Sequence, residues 1–182
     1  MKGRWRSLNP IDFVKPRSRS YQRATLRLSE HRRKSEMKRA LFLCTGNYYR
    51  SRFAEELFNY HARREGLNWL ASSRALAIEK GANNLGPISP FTAQALSERN
   101  ISPSPSRLPA ACRVRDLEVA DLIVAMKEAE HRALLEDRFA GWQGRVTYWH
   151  VGDIDSAQPD EATALIDYKV RNLIRNIRTC SR

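Results

Sequence analysis

Short apolar runs alternate with helical patterns along residues 40–182, and this alternation constrains the fold more than any other feature of the sequence. Four runs are short and apolar enough for buried strands, at residues 40–44, 69–77, 121–126 and 145–151. Helical patterns follow them at about residues 53–66, 89–99, 128–136 and from 160 onward. Strands that alternate with helices in this way predict an α/β fold with a four-stranded parallel, doubly wound sheet and helices on both faces.

Positive charge is concentrated at the N-terminus. Residues 1–39 hold 13 Lys or Arg against 3 Asp or Glu, which leaves 19 against 17 in residues 40–182. Residues 1–38 lack a hydrophobic period, so we predict a disordered basic tail there and one domain over 39–182. Three interpretations of the tail stay open: a basic arm for acidic surfaces or nucleic acid, an organellar presequence, or untranslated sequence before a start at Met37.

Scattered cysteines and histidines argue against disulfides and metal sites. The three cysteines, Cys44, Cys112 and Cys180, form neither a disulfide framework nor a CxxC pair. We therefore expect reduced thiols, no metal and no cofactor. No apolar stretch is long enough for a membrane span, and the N-terminus lacks the apolar block of a secretory signal, so we expect a soluble cytoplasmic protein.

The segment CTGNYYRS, residues 44–51, lies between the first apolar run and the first helical pattern. A thiol facing the N-terminus of a helix ionises readily, and the free N–H groups there form an anion site. Gly46 would allow a tight turn, and the planar fork of Arg50 matches two phosphate oxygens. The chain holds 25 arginines, so the spacing from Cys44 to Arg50 carries weight only in this setting.

Two further residues of the segment have polar side chains suited to the same site. Ser51 can donate its hydroxyl to the thiolate and serve as the helix N-cap. Asn47 can brace a tight loop by bonding backbone groups. Each also has a plainer interpretation, Ser51 as only a cap and Asn47 as only a turn residue.

The segment resembles the phosphate-binding loop of the low-molecular-weight protein-tyrosine phosphatase family, whose pattern is Cys-x-Gly-Asn-x-Cys-Arg-Ser. The resemblance extends more weakly over about residues 40–178. It implies metal-free hydrolysis of phosphomonoesters in two steps, in which Cys44 attacks phosphorus and forms a phosphocysteine. It also implies that the phosphate is held by Arg50 and the other loop residues, Thr45, Gly46, Asn47, Tyr48, Tyr49 and Ser51.

The family's general acid is an aspartate after the last strand. Asp153 best matches its position, and Asp155 is the second choice; either could be only a turn residue. Asp155 and Ser156 replace the family's Pro-Tyr type residues beside the acid. Tyr49 replaces the second loop cysteine, which leaves Cys44 without a thiol partner. Lys127 stands where the family often has an aspartate.

These features predict a cysteine-dependent phosphomonoester hydrolase, in first place a protein-tyrosine phosphatase acting on phosphorylated proteins. A small aryl or alkyl phosphate, or phosphoarginine, is an open alternative substrate. One rival is an arsenate reductase that uses Cys112 and Cys180 to pass on oxidation. Another is a phosphate- or phosphoprotein-binding module with little turnover. Nucleic acid is expected as a partner only through the basic tail, and the oligomeric state is left open.

Overall fold

A four-stranded parallel sheet with the order β2-β1-β3-β4 forms the centre of the domain. The computed structural model describes residues 36–103, 107–153 and 158–180. The strands are β1, Lys38–Cys44; β2, Trp69–Ala75; β3, Leu122–Ala125; and β4, Thr147–Tyr148. The predicted parallel sheet is therefore confirmed, with the first strand in an interior position between β2 and β3.

Five α-helices surround this sheet in the described ranges. They are α1, Arg50–Arg64; α2, Pro90–Ser97; α3, Val114–Glu118; α4, Glu128–Arg138; and α5, Pro159–Cys180. Short 3-10 turns occupy Ile78–Gly81 and Gln143–Arg145. The sequence patterns predicted four of the helices and missed the short α3. Ser89 and Pro90 stand at the predicted N-cap and first helical position of α2.

The last strand is shorter than predicted. Only Thr147 and Tyr148 of the expected 145–151 pair with β3 as a strand. His150 has a left-handed φ of 55°, which interrupts the extended backbone. The chain nevertheless stays beside β3, because the Val151 amide donates to the Met126 carbonyl at 2.6 Å.

Alternation along β1 divides the core between two faces of the sheet. Ala40, Phe42 and Cys44 pack into a cluster with apolar side chains of α1, α2 and α5. Leu41 and Leu43 point to the opposite cluster, which includes side chains of α3 and α4. Helices therefore cover both faces of the sheet. Cys44 lies at the carboxyl end of β1, on the face that α1 covers, and ligands of parallel sheets bind at this end of the strands.

Two predicted features fall outside the described part of the chain. The expected tail, residues 1–38, lies there except for its last three residues, of which Lys38 already belongs to β1. Asp155, the second choice for the general acid, also lies there. Among the helices of the described ranges, none is both long and apolar enough to cross a membrane.

Candidate active site

The Cys44 sulfur lies between two hydrogen-bonding groups from the start of α1 and the loop before it. The Ser51 hydroxyl oxygen is 2.9 Å from Sγ, and the Asn47 backbone N–H donates to Sγ at 3.2 Å. The side chain of Cys44 is buried, with 4% of its surface exposed. Ser51 and Cys44 are therefore hydrogen-bonded in the folded chain, and either atom can be the donor. The Ser51 hydroxyl and the Asn47 N–H provide two groups that stabilise a negative charge on sulfur.

Ser51 contacts the thiol from inside the helix. α1 begins at Arg50 and Tyr49 is its N-cap residue, without a side-chain capping bond, so the predicted N-cap role of Ser51 is wrong. The Asn47 amide nitrogen donates to the Ser51 hydroxyl at 3.1 Å. Because the Ser51 oxygen already accepts this bond, its own proton is free to point at Cys44.

The side-chain amide of Asn47 is bonded on both ends. Its nitrogen donates to Ser51 and, at 2.7 Å, to the Ser73 hydroxyl. Its oxygen accepts from Arg107 Nη1 at 3.2 Å and from the Ala110 N–H at 3.0 Å. These four bonds fix the orientation of the amide and make Asn47 a brace of the loop. Three of the four partners are side chains, whereas the sequence suggested backbone groups.

Asn47 also carries the unusual backbone conformation of the loop. Its φ is 54°, in the left-handed region that asparagine tolerates, whereas Gly46 is not in that region. A Cβ added at Gly46 would make ordinary contacts of 3.5 Å with Asn84 and 3.6 Å with Gly81. The tight turn expected at Gly46 therefore has its left-handed residue at Asn47, and the backbone at Gly46 does not itself require glycine.

A charged cluster lies behind Asn47 and was not predicted. Ser73 donates to the Glu55 carboxylate at 2.5 Å. Arg107 pairs with the same carboxylate and donates to the Ser73 hydroxyl at 2.7 Å. Arg52, fully buried, donates to the Arg107 carbonyl at 2.9 Å. The cluster connects α1 and β2 to Arg107, in the chain between α2 and α3, beneath the phosphate loop.

Arg50 is buried and held by acceptors from two segments. Nη1 donates to the Val151 carbonyl at 3.0 Å, and Nη2 lies 2.8 Å from Glu130 Oε2 and 2.5 Å from Asp153 Oδ2. Burial works against the charge, yet the bond to Glu130 and the nearby Cys44 and Asp153 raise the pKa of Arg50. The structure thus brings three sequence-predicted residues, Cys44, Arg50 and Asp153, to one place.

Glu130 adds a carboxylate to the site that was not predicted from the sequence. Burial tends to raise its pKa, but the bond from Arg50 outweighs this effect and lowers the pKa of Glu130. Lys127, noted for standing in place of an acid, lies with Nζ 3.4 Å from Glu130. Glu130, which lies three positions after Lys127 and in α4, is thus an acidic partner of Arg50.

His131 connects α4 to the first residue of the loop. Its Nδ1 accepts from the Lys127 N–H at 2.9 Å, so the neutral ring carries its proton on Nε2, which lies 3.3 Å from the Thr45 hydroxyl. Burial, followed by the charge of Arg50, lowers the pKa of His131 to about 4. His131 is therefore a neutral donor to Thr45 at ordinary pH.

The two tyrosines of the loop point to different partners. The Tyr48 hydroxyl donates to the Leu85 carbonyl at 2.5 Å. The Tyr49 hydroxyl donates to the Pro159 carbonyl at 3.1 Å, and only 7% of Tyr49 is exposed. Its ring meets the Phe91 ring edge-on, with 6.2 Å between centroids. The Tyr49 ring is therefore a core side chain and not a wall of an open binding cleft.

Several backbone N–H groups of the loop are unpaired within the protein. In the ranges that the structure describes, the amides of Gly46, Tyr48, Tyr49 and Arg50 donate to no protein acceptor. Unpaired amides in front of a helix form an anion site. The predicted phosphate-binding residues thus offer backbone donors next to the buried guanidinium of Arg50.

Among the described residues, Cys112 and Cys180 make no bond to the residues of this site. Cys112 packs in the core cluster on the opposite face of the sheet from Cys44, and burial raises the pKa of its thiol to about 12. Cys180 is exposed at the end of α5. A buried thiol with so high a pKa supplies little thiolate for disulfide exchange.

Comparison with known proteins agrees with this arrangement. A family model described as low molecular weight phosphotyrosine protein phosphatase matches residues 39–177. A protein-arginine-phosphatase of Bacillus subtilis (strain 168) is 33% identical over 106 residues, covering 58% of this chain and 66% of that protein, just under two thirds of its length.

Solved structures show the same fold. The crystal structure of a YwlE mutant from Bacillus subtilis has a TM-score of 0.64 at 25% identity, covering 78% of this chain and 99% of that one. A low molecular weight protein tyrosine phosphatase from Streptococcus pyogenes has a TM-score of 0.65 at 21% identity, covering 77% and 93% of the two chains. The chain belongs to the low molecular weight phosphotyrosine protein phosphatase family.

Proposed function

We propose that this protein is a cysteine-dependent phosphatase that hydrolyses phosphorylated protein side chains through a phosphocysteine on Cys44. One observation carries the proposal: the Cys44 sulfur lies 2.9 Å from Ser51 Oγ and 3.2 Å from the Asn47 amide, at the start of the helix that holds Arg50. Such a sulfur is supplied with the hydrogen bonds that a thiolate nucleophile needs.

In the first step the Cys44 thiolate attacks phosphorus, and the bond from phosphorus to the leaving atom breaks. The unpaired loop amides and Arg50 hold the equatorial oxygens. Asp153 lies 2.5 Å from Arg50 Nη2. When the phosphate binds Arg50, the Asp153 carboxylate leaves this ion pair, takes up a proton from solvent and gives that proton to the leaving atom.

In the second step water attacks the phosphocysteine, and Asp153 takes a proton from that water. The sulfur–phosphorus bond breaks, inorganic phosphate leaves, and the Cys44 thiolate is restored with Ser51 and Asn47 as its partners. Asp153 thereby serves as acid in the first step and base in the second. No group beyond this chain and water is needed for the atoms to balance.

Phosphotyrosine is the first candidate substrate, because it is the substrate named for the family to which the chain belongs. Phosphoarginine is the second, since the arginine phosphatase of Bacillus subtilis shares 33% identity over 106 residues. The structure also offers groups suited to phosphoarginine. The side chains of Glu130 and Asp153 are 29% and 34% exposed beside Arg50, and their carboxylates could bind the guanidinium group of this substrate.

The test is hydrolysis of matched peptides that carry phosphotyrosine, phosphoarginine or phosphoserine. We expect turnover of one of the first two and at least a tenfold weaker reaction with phosphoserine, on the order of the discrimination that a shaped site provides. Cys44→Ser should remove turnover, while Cys112→Ser serves as a matched thiol control with activity retained. Full activity in Cys44→Ser would overturn the mechanism.

The choice of acid is tested in the same assay. We expect Asp153→Ala to lower kcat with phosphotyrosine by roughly a hundredfold or more, as loss of a general acid does. Asp155→Ala should have little effect. A larger loss in Asp155→Ala would transfer the role to Asp155.

Two rival functions give different results. An arsenate reductase relay would be lost in the Cys112→Ser, Cys180→Ser double variant, measured in a thiol-coupled arsenate assay; the high pKa of Cys112 weighs against it. A binding module would hold a phosphopeptide with equal affinity in wild type and Cys44→Ser, without turnover in either.

A further inference from the structure

His150 has a left-handed backbone between β4 and Asp153, the residue proposed as general acid. Its φ is 55°, and the other non-glycine residues with positive φ in the described ranges are Asn47 and Asn100. This conformation costs free energy unless the surrounding structure maintains it, and such residues are concentrated at functional sites. The His150 side chain is 68% exposed, with Nε2 3.9 Å from Glu128 Oε2, so packing of the side chain does not impose the conformation.

The hydrogen bonds on either side of His150 show that the chain holds one extra residue there. The Trp149 N–H donates to the Ala125 carbonyl at 3.0 Å, and the Val151 N–H donates to the Met126 carbonyl at 2.6 Å. In an unbroken parallel ladder, donors two residues apart bond carbonyls two residues apart. Here the two carbonyls are one residue apart, so His150 is the additional residue of a β-bulge.

The bulge lies directly before the contacts of the acid-bearing segment with Arg50. The Val151 carbonyl accepts from Arg50 Nη1 at 3.0 Å, and Asp153 Oδ2 lies 2.5 Å from Arg50 Nη2. Only Gly152 separates Val151 from Asp153 along the chain. The place at which the chain leaves the bulge therefore decides whether both groups reach Arg50.

A regular strand at this point would break both contacts. The Val151 N–H would then bond the Lys127 carbonyl in place of the Met126 carbonyl, which shifts the segment along the strand by about one residue, or roughly 3.3 Å. Bonds to Arg50 of 3.0 and 2.5 Å do not survive a displacement of that size. The left-handed residue is therefore what brings the segment to Arg50.

We propose that His150 is a positioning residue: its left-handed backbone forms the bulge that places the Val151 carbonyl and the Asp153 carboxylate beside Arg50. The inference rests on the proposed function, in which Asp153 is the general acid. It assigns the role to the backbone of His150 and not to its imidazole ring. Residues that adopt the left-handed conformation should therefore replace His150, and residues that cannot adopt it should not.

The test compares substitutions of His150 that differ in the backbone they permit. His150→Gly and His150→Asn allow a positive φ, whereas His150→Pro fixes φ at about −65° and excludes it. Rates are measured with phenyl phosphate and p-nitrophenyl phosphate, because a general acid matters most for a basic leaving group.

We expect His150→Pro to lose at least roughly tenfold more activity with phenyl phosphate than with p-nitrophenyl phosphate, as Asp153→Asn should. His150→Gly and His150→Asn should stay within about twofold of the wild type with both substrates, because both residues tolerate the left-handed backbone. His150→Val disfavours this conformation without excluding it, and should show the same leaving-group dependence to a smaller degree.

Asn100→Pro is the matched control. Asn100 has a φ of 56° just after α2, and its N–H donates to the Ser97 carbonyl at 2.9 Å. Proline meets the same conflict with the backbone there, so we expect Asn100→Pro to unfold at a lower temperature than the wild type. Its rates with the two aryl phosphates should change by the same factor. Thermal unfolding of every variant checks that it is folded.

The outcomes separate the two proposals. Wild-type rates in His150→Pro, or an equal loss in His150→Gly and His150→Pro, would overturn the role of the backbone while leaving the phosphatase intact. Should His150→Pro not fold, equal rates in His150→Val and His150→Gly would overturn it in the same way.

The choice of acid is separated as well. A leaving-group dependence in His150→Pro together with none in Asp153→Asn would show that the acid is another residue, and would overturn the positioning of Asp153 by His150. Absence of turnover in the wild type, with the aryl phosphates and with the phosphopeptides, would overturn the proposed function itself.

Discussion

Asn47 combines a left-handed backbone with a fully bonded amide, and the two contributions can be separated by mutation. Asn47→Ala and Asn47→Gly both remove the four side-chain bonds, two of which lie between buried groups. Only alanine adds strain at a φ of 54°. We expect both variants to lose most activity, and Asn47→Ala to be less stable than Asn47→Gly by about 1 kcal/mol in urea unfolding.

Both variants also lose stability, because both lose the hydrogen bonds of the Asn47 side chain. Each is worth about 1 kcal/mol net, and the Ser73 and Ser51 hydroxyls would be left with fewer partners. Wild-type turnover in Asn47→Gly would contradict a role of this network in holding the nucleophile. Equal stability of the two variants would show that the left-handed conformation is not maintained after mutation.

His131, in α4, makes the free energy of unfolding depend on pH. In the folded protein its pKa is about 4, below the ordinary value of 6.5, so protonation favours the unfolded chain. The stabilisation is fully present above pH 6.5 and is lost as pH falls to about 4, by on the order of 3 kcal/mol. Denaturant unfolding at a series of pH values measures how the free energy of unfolding changes with pH.

His131→Gln is the control for this pH dependence of the unfolding free energy. The glutamine amide can keep a donor toward Thr45 and an acceptor toward Lys127, but it does not titrate. We expect a flatter dependence of unfolding free energy on pH between 6.5 and 4 than in the wild type. Identical slopes in the two proteins would contradict a buried neutral His131. Other groups that face the ring, Arg50, Glu130 and Lys127, are present in both proteins.

The chain between α2 and α3 is joined to α1 by the ion pair of Arg107 and Glu55. These side chains are 25% and 11% exposed. Arg107→Met would leave the Glu55 carboxylate short of a partner and should lower the free energy of unfolding by about 2–4 kcal/mol. The double variant with Glu55→Gln should recover part of that loss. Additive losses in the double variant would show that the two groups do not depend on each other.

In the part of the chain that the structure describes, the strands, helices and candidate site residues lie within residues 38–180. We therefore expect a variant that lacks residues 1–36 to keep the wild-type kcat and KM on a small aryl phosphate. Binding of DNA at low salt, if present in the full chain, should disappear in this variant. A loss of turnover would show that the tail takes part in the site.

The order of elements and the place of Cys44 at the end of β1 were predictable because their signals are local. An apolar run, Cys44, Asn47 and Ser51 follow one another within a few residues, and the parallel sheet follows from strands that alternate with helices. The partners of Arg50 and Asn47 were not predictable in this way. Glu130 is 80 residues from Arg50, and Arg107 is 60 residues from Asn47.

One of these distant partners had a usable signal. Glu130 and His131 follow β3, which pairs with β1, and the carboxyl ends of parallel strands meet at one edge of the sheet. Charged residues just after that strand could have been assigned to the site. Arg107 offered no such signal, because it follows no strand pattern in the sequence and is one of 25 arginines.

The central claim is that turnover passes through a phosphoryl group on Cys44. Rapid acid quenching during hydrolysis of p-nitrophenyl phosphate, followed by intact mass and peptide mapping, tests it most directly. We predict one phosphoryl group on the peptide that contains Cys44, in larger amount in Asp153→Asn because water attack is slowed. Steady turnover with no phosphorylated enzyme, or with the phosphoryl group on a residue other than Cys44, would contradict the claim.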